Sequence, residues 1–366
     1  MAFRLPSYRA PDFSKPPFPS SPLVQFKRVT KSGTAPEDYH ATSIYPEYYQ
    51  IHKGKWVLLD RSRMDCAVVR QGDENLVVKP FRRLKRGDSV ACGRRENGED
   101  GIFVHIDGFG GIQKGSEKFA FRTAFTRETP FSIDYDELYE LLAFERVNGS
   151  IAWVLGPAVT FDRDARNAFA ALIRGGYVHC LLAGNALAVH DLEVSFFGTA
   201  LGQEIYSKQS VALGHYNHLD AINKIRTIGS IREGIDKGLI GDGIMRAIIE
   251  NQIPYVLAGS IRDDGPLPEV IGDAYSAQDE MRRLLERATT VITLATQLHT
   301  IASGNMVPSY TIGPKQQVRP VYFYSVDMSE FAVGKLSNRG SLTARSILTN
   351  VQDFVSIVER GLRKRE

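Results

Sequence analysis

From about residue 131 to the C-terminus, short apolar runs alternate with segments in which apolar residues recur at helical spacing. Five runs have the length of a strand: IAWVLGPAV, YVHCLLAG, IPYVLAG, TTVITLAT and RPVYFYSVD. Strands that are apolar throughout and separated by helices are typical of a parallel sheet covered on both faces. We therefore predict a Rossmann-like α/β domain over 131–366. Its helices include a linking helix DELYELLAFERV, segments over 218–251 broken at Gly229 and Gly241, SEFAVGKLSNRG, and the C-terminal NVQDFVSIVERGLRKRE.

Residues 37–130 have a different pattern, in which shorter apolar or alternating runs are separated by Gly, Asp and Asn. This pattern predicts a small antiparallel β domain ahead of the α/β domain. Residues 1–36, which contain SKPPFPSSP, predict an extended arm that is either disordered or packed on a neighbour. The basic stretch FRRLKRGD favours an exposed rim over a nucleic-acid patch, because no aromatic residues interleave with the charges.

The composition limits the classes of function. Of the 366 residues, 43% are hydrophobic and 24% are charged, and the formal net charge is +3. So small a charge argues against nucleic acid or a membrane surface as a partner, and no run of about 18 apolar residues could span a bilayer. Cys66, Cys92 and Cys180 form no CxxC pair, which suits a reducing compartment, so we expect a cytoplasmic protein. No HExxH motif, CxxC pair or three-His cluster indicates a metal, and none is expected.

Small and polar residues follow four of the predicted strands. They are Gly184, Asn185, Ala186, His190 and Asp191 after YVHCLLA; Gly259, Ser260, Arg262, Asp263 and Asp264 after IPYVLA; Thr296, Gln297, His299, Asn305 and Met306 after VITLA; and Asp327 after VYFYS. The carboxyl ends of parallel strands meet at one edge of the sheet, where ligands of open α/β folds bind. The sequence therefore predicts a ligand site at this edge.

Each of these groups alone also has an ordinary structural interpretation. Asp263 and Asp264 before Gly-Pro fit a turn capped by an aspartate, His299 fits a core histidine, and Arg262 fits a structural ion pair. Asp327 has a more specific use, because an acidic residue at a strand end can hold the ribose hydroxyls of a dinucleotide. No GxGxxG fingerprint follows the first strand. The pattern alone thus predicts an α/β nucleotide- or cofactor-binding domain and names no reaction.

Longer stretches of the chain are more specific. They are LLAGNALAVHDLEVSFFGTALG, GHYNHLDAINKIRTIGSI, GIMRAIIENQIPYVLAGSIRDDGPLPEVI, LATQLHTIASGNMVPS, VDMSEFAVGKLSNRGS and TNVQDF. Through them the chain resembles the archaeal-type ornithine cyclodeaminases. It is equally similar to the C-terminal half of the cyanobacterial bifunctional arginine dihydrolase/ornithine cyclodeaminases. These proteins share a region that resembles lysine-oxoglutarate reductase/saccharopine dehydrogenase (LOR/SDH). The resemblance runs from about 145 to 360, and MDCAVV and RLKRGDSVACG extend it into the β domain.

The resemblance implies that the α/β domain binds NAD and that the β domain lies on the substrate side. It also implies that ornithine is converted to proline and ammonia by internal hydride transfer, with NAD recycled in place. By matching position, it implies cofactor contacts at Asn185, Ala186, Asp191, Gly259, Ser260, Asp263, Asp264, His299, Asn305, Met306 and Asp327. A homo-oligomer is expected, since small β domains beside α/β domains often lie at subunit contacts.

Loss of hydride from Cα requires a neutral amine, so a nearby carboxylate should act as the general base. Asp263 and Asp264 are the candidates, because adjacent acids that face one site can have separated pKa values. Arg262 would neutralise one of them or bind the substrate carboxylate bidentately. Two alternatives stay open: an NAD-dependent dehydrogenase or deaminating lyase acting on another amine, and an NAD-binding module without catalysis.

Two departures from the family bear on the reaction. The proline-rich arm stands where the family has an N-terminal domain, and no stretch corresponds to the arginine dihydrolase domain, so we expect no arginine hydrolysis. A histidine-containing, HPTE-like segment of the family reads Ile44-Tyr45-Pro46-Glu47 here, which leaves room for a substrate other than ornithine. Tyr45, Tyr48 and Tyr49 could line a different pocket or be ordinary strand residues.

Overall fold

The computed structural model describes residues 3–109, 135–313, 316–329 and 341–365. Within these ranges the N-terminal part is antiparallel β structure and the C-terminal part is a parallel α/β domain, which confirms the predicted fold class. Apart from Ser329, the helix predicted over SEFAVGKLSNRG lies outside the described residues. Within the described ranges, none of the helices combines the length and hydropathy that a bilayer crossing requires.

The β domain contains two antiparallel sheets. Its strands are β1 (Gln25–Arg28), β2 (Glu47–His52), β3 (Lys55–Leu58), β4 (Ala67–Gln71), β5 (Asn75–Lys79), β6 (Ser89–Cys92) and β7 (Ile102–Val104). One sheet has the order β1-β6-β4-β5 and the other the order β3-β2-β7. Gly54 and Gly72 both have φ of 75° in the tight turns after β2 and β4, a conformation that glycine adopts without strain.

Much of the segment predicted as an extended arm packs on this β domain, whereas the Phe3 ring packs on Phe144 and Tyr322 of the α/β domain. Gln25–Arg28 pairs with β6, so the domain takes its first strand from within the predicted arm. Further upstream, the Phe13 ring stacks on Trp56 with centroids 4.7 Å apart, and the Tyr8 hydroxyl lies 2.8 Å from that of Tyr48. Pro17 leads into a short 3₁₀ turn at Phe18–Ser20, and the aromatic side chains of the segment bury apolar surface on the sheet.

The α/β domain begins with a linking helix and continues as alternating strands and helices. In chain order these are α1 (Tyr135–Asn148), β8 (Ile151–Leu155), α2 (Arg163–Arg174), β9 (Cys180–Gly184), α3 (Asn185–Phe197), β10 (Thr199–Ala200), β11 (Gln203–Glu204), α4 (Asn217–Ile228), α5 (Ile231–Asp236), α6 (Ile244–Glu250), β12 (Tyr255–Ala258), β13 (Val270–Ile271), α7 (Ala274–Leu285), β14 (Thr290–Leu294), α8 (Gln297–Met306), β15 (Tyr310–Ile312), β16 (Val318–Pro320), β17 (Tyr322–Asp327), β18 (Thr343–Leu348) and α9 (Val351–Arg363).

Seven strands form one parallel sheet in the order β13-β12-β9-β8-β14-β17-β18. The chain starts at β8, moves outward through β9 and β12, and then crosses to β14 on the other side of β8. This is the doubly wound Rossmann order, with β13 added at one edge. The point at which the winding reverses, between β8 and β14, is where such folds bind their ligands.

Helices cover both faces of this sheet, as the fully apolar strands predict. All five residues of β8 are inaccessible to solvent, and the Trp153 indole donates to the Tyr177 carbonyl over 2.9 Å. One core cluster lies under α1 to α6 and α9, and a second lies under α7 and α8. The β domain contacts the second face, where Ser309 donates its amide to the Ser62 carbonyl over 2.8 Å.

Candidate functional site

The ends of β8 and β14 are packed against each other at the point where the winding reverses. The Gly156 amide donates to the Leu294 carbonyl over 2.8 Å. A Cβ on Gly156 would come far inside van der Waals contact with the Ala295 carbonyl oxygen. Ala295 itself has φ of 47°, a left-handed conformation that costs a non-glycine residue strain energy and is over-represented at functional sites. This junction directs the chain from β14 into α8.

We predict that Gly156→Ala destabilises the protein by about 1–3 kcal/mol, because the methyl group meets a backbone oxygen that cannot move alone. Gly272→Ala is the matched control at the same edge of the sheet, since nothing lies within 4 Å of a Cβ built there. Chemical denaturation of the two variants measures the difference. Equal stabilities would show that the β8–β14 junction tolerates movement.

Two helices begin at this edge without a side-chain cap. Gly184, which has no side chain, precedes α3. Thr296 precedes α8, and its side chain accepts no hydrogen bond from the helix. In contrast, α2, α7 and α9 are capped by Asp162, Asp273 and Asn350. Uncapped first-turn N–H groups and the positive end of the helix dipole favour anions, so α3 and α8 offer an anion site beside β8. α3 starts directly at Asn185, so the polar residues that follow β9 lie on a helix.

His299, in the first turn of α8, lies across the end of β9. Its Cε1 atom is 3.1 Å from where a Cβ on Gly184 would be, so glycine leaves the space that the imidazole ring needs. Burial lowers the pKa of His299 below its usual value, and the charge of the Asp263 carboxylate opposes this shift. The loops after β9, β12 and β14 therefore meet at His299.

The loop after β12 folds back on itself. Asp263 accepts the Ser260 amide over 2.8 Å and donates its own amide to the Ser260 carbonyl over 3.0 Å. Asp263 is half-buried, whereas Ser260, Arg262 and Asp264 are exposed. The interpretation of this segment as a turn capped by an aspartate thus describes its backbone. The same turn brings the Asp263 carboxylate near His299.

Residues beyond the turn anchor this loop to the neighbouring helices. The Asn185 side-chain oxygen accepts the Leu267 amide over 3.1 Å, and Arg226 of α4 donates to the Pro266 carbonyl over 3.2 Å. Glu269 accepts the first amide of α5, that of Ile231, over 2.5 Å. Neither Arg226 nor Glu269 follows a predicted strand, so the sequence pattern gave no signal for either residue.

Two residues implied as cofactor contacts point into the protein. Asp191 is 1% exposed, pairs with the buried Arg166 over 2.6 Å, and accepts the Ile244 and Met245 amides at the start of α6. Met306 is 1% exposed and belongs to the core cluster under α7 and α8. Neither side chain opens onto the sheet edge in this arrangement.

Asn305 and Asp327 are placed differently. The side-chain oxygen of Asn305 is buried and has no hydrogen-bond partner among the described residues. Asp327 accepts the Ser329 amide over 2.8 Å, and its carbonyl accepts the Thr349 amide over 3.2 Å. The end of β18 therefore adjoins that of β17. β18 was not among the five strands that the apolar pattern predicted. The stretch TNVQDF, which directly follows it, was recognised only through the family resemblance.

The comparisons with known proteins agree with this geometry. A model of the C-terminal Rossmann-fold domain of ArgZ-like arginine dihydrolases matches residues 138–358. The ornithine cyclodeaminase of Methanopyrus kandleri is 39% identical over 351 residues, which are 93% of this chain and 79% of that protein. The chain belongs to the ornithine cyclodeaminase family.

Solved structures extend this family relationship to three dimensions. A conserved LOR/SDH protein of Methanococcus maripaludis matches with a TM-score of 0.82 and 32% identity, covering 94% of this chain and 99% of that chain. The ternary complex of AgrE with ornithine and NAD+ matches with a TM-score of 0.58 and 34% identity, covering 94% of this chain and 46% of that chain. AgrE of Nostoc is a bifunctional arginine dihydrolase/ornithine cyclodeaminase.

The Ile44-Tyr45-Pro46-Glu47 segment, where the sequence departs from the pattern of the ornithine cyclodeaminase family, leads into β2. Glu47 is fully buried and accepts hydrogen bonds from the Ser43 amide and the Tyr49 hydroxyl, both over 2.6 Å. His40 lies 3.2 Å from the same carboxylate. Tyr48 and Tyr49 are buried strand residues. Glu47 and Tyr49 thus hold the β domain together instead of lining an open pocket.

Proposed function

We propose that this protein is an NAD-dependent ornithine cyclodeaminase that converts ornithine to proline and ammonia. The observation that carries the proposal is the meeting of His299, Asp263 and the uncapped start of α3 at the edge where a doubly wound sheet binds a dinucleotide. Membership of the ornithine cyclodeaminase family and the AgrE complex with ornithine and NAD+ support the same reaction.

The residues at this edge fit a dinucleotide. Glycines 156, 184 and 259 leave the ends of three neighbouring strands without side chains, so a ligand can approach the backbone there. We assign the diphosphate to the uncapped starts of α3 and α8, and polar contacts to Ser260, Asp327 and the unpartnered oxygen of Asn305. Ala186, half-exposed in the first turn of α3, contributes backbone surface. When bound, NAD+ would accept a hydride from Cα of the amino acid and return it to the ring imine.

His299 and Asp263 remove a proton from the α-amine of ornithine in this proposal. The α-amine of ornithine enters protonated and must lose a proton before hydride can leave Cα. Because burial lowers the pKa of His299, its imidazole is available as a base near neutral pH. The Asp263 carboxylate stabilises the imidazolium that forms, the role that a carboxylate takes beside a catalytic histidine. His299 thus replaces the Asp263 and Asp264 carboxylates as the proposed general base, a role beyond the cofactor contact that the resemblance implied, and Asp263 acts through it.

The exposed residues of the same loop suit substrate recognition. Arg262 has no side-chain partner among the described residues and can bind the α-carboxylate bidentately. Asp264, exposed beside Asp263, can attract the δ-ammonium group. The two charges match the two ends of a cationic amino acid.

We predict that the purified protein forms equal amounts of proline and ammonia from ornithine and accumulates no NADH. The ring imine is reduced by the electrons that left Cα, so the overall reaction is redox-neutral. Amino-acid analysis, an ammonia assay and absorbance at the NADH band measure the three quantities together. Stoichiometric NADH with no proline would instead identify a dehydrogenase, and no turnover with bound NAD would identify a silent binding module.

We also propose a reducing, cytoplasmic compartment and a homo-oligomeric state. Three buried free cysteines support the first. For the second, the segment that follows α3 and the start of α4 expose large apolar side chains within a short stretch of sequence, at Leu201, Tyr206, Leu213, Tyr216 and Leu219. Clustered exposed apolar residues are typical of protein–protein contacts.

A further inference from the structure

A second cluster of charged side chains lies away from this site, at the contact between the two domains. Arg82 and Arg83, from the basic stretch FRRLKRGD, both form ion pairs with Asp279 of α7. Arg282, one turn along the same helix, donates to the same carboxylate over 2.8 Å. Three guanidinium groups therefore share one carboxylate.

Arg63 adds a fourth guanidinium group from the loop between β3 and β4. It is 4% exposed, and its ion-pair partner Glu286 is 3.8 Å away. Burial and the neighbouring Arg63 and Arg82 charges lower the pKa of Arg282. Burial also raises the pKa of the adjacent Cys66 thiol, so this thiol stays neutral and supplies no negative charge.

One buried polar atom of this cluster, Nε of Arg282, has no hydrogen-bond partner among the described residues. Asp65, the further carboxylate near Cys66, is exposed on the same loop and is screened by solvent. Unsatisfied buried donors cost free energy, and like charges buried side by side repel. An anion with several oxygens between the arginines would remove both costs.

We propose that Arg63, Arg82, Arg83 and Arg282 (the arginine junction) form a binding site for a phosphate group, either free or carried by a nucleotide. The planar guanidinium group binds phosphate bidentately, and arginine is therefore enriched at phosphate-binding sites in proteins. The side chains of Arg82 and Arg83 are 30% and 52% exposed, so the junction opens to solvent on one side. A bound phosphate would join the β domain to α7.

The exposed ring of Tyr275 would contact a nucleotide but not inorganic phosphate. Arg82 lies over its ring, 5.1 Å from the centroid, at the solvent side of the junction. A nucleotide could place its base on this aromatic surface, whereas inorganic phosphate would use the arginines alone.

The test is isothermal titration of the full chain, saturated with NAD so that the diphosphate site is filled, at constant ionic strength. The probes are inorganic phosphate, pyrophosphate and ATP. We expect at least one to bind saturably, and Arg83→Gln to weaken it by about tenfold, the loss of one charge-assisted contact. The matched control is Arg283→Gln, which removes an exposed arginine of the same helix that pairs with Glu280. Its affinity should equal that of the unmodified protein.

The source follows from the probe that binds. Binding of ATP but not of inorganic phosphate or pyrophosphate identifies a nucleotide, and binding of either inorganic anion as tightly as ATP identifies a free phosphate anion. Saturable binding by none of the three probes overturns the proposal, as does equal weakening by Arg83→Gln and Arg283→Gln, which would mean non-specific attraction. Arg63→Gln is a second variant and should abolish binding; where it fails to fold, Arg83→Gln decides alone.

Discussion

Replacing Asp263 with Asn lowers kcat for ornithine by about 10²- to 10⁴-fold while the protein stays folded and retains NAD. Asn keeps the size of the side chain and can still accept the Ser260 amide, so the turn after β12 persists. It removes the negative charge that stabilises a protonated His299. The loss therefore falls on the chemical step. Steady-state kinetics with ornithine and mass spectrometry of retained NAD measure both parts.

The neighbouring Asp264→Asn is the control for this prediction. Asp264 is exposed and would attract the substrate instead of serving the base, so its loss should raise KM with little change in kcat. A pH profile adds an independent readout. The Asp263 carboxylate raises the pKa of His299, so removing it should move the acid limb of kcat/KM to lower pH. Unchanged kcat in Asp263→Asn, or identical kinetics in both variants, would contradict the assigned roles.

Replacing Asp191 with Asn destabilises the protein by about 3–5 kcal/mol, because it leaves the buried Arg166 short of a counter-charge. Asp191 and the Arg166 side chain are only 1% and 2% exposed, and the carboxylate also accepts two amides at the start of α6. The side-chain NH2 group of Asn would face one of the two backbone N–H groups, of Ile244 or Met245, that now donate to the carboxylate. Chemical denaturation followed by circular dichroism measures the loss as a lower midpoint.

Asp242→Asn is the matched control, since Asp242 pairs with the same arginine over 2.9 Å but is 62% exposed. Solvent screens that pair, so its loss should cost less than about 1 kcal/mol. The comparison also tests the cofactor contact that the family resemblance implied for Asp191. A large fall in NAD affinity with unchanged stability would place Asp191 at the cofactor and contradict its structural role.

The fold was predictable where burial leaves a strong pattern. β8, β9, β12, β14 and β17 are buried along most or all of their length, so each is an apolar run in the sequence. In contrast, β18 reads TARSIL and is mostly half-buried at the edge of the sheet, and β13 has two residues. Neither has a periodicity that could be recognised. The start of α3 was missed because Gly184 is its N-cap and supplies no capping side chain.

The sequence predicted that the site lies at the ends of the strands, but it did not predict which side chains point into the site. Asp191 and Met306 lie on helices, and helical phase together with the packing of the next layer turns them inward. The proximity of His299 to Asp263 depends on how loops from two different strands cross β9. The role of FRRLKRGD likewise depends on Asp279, which is almost 200 residues away in the chain. Pairings of this kind need three-dimensional structure.

The most direct test of the central claim uses ornithine deuterated at Cα. Internal hydride transfer predicts that the label returns to C2 of proline, with none in solvent or in free NADH, because the electrons never leave the site. Mass spectrometry and NMR of the proline product locate the deuterium. Proline that retains the label at C2 supports a cyclodeaminase that recycles NAD in place. Unlabelled proline, or deuterium recovered in released NADH, would contradict it.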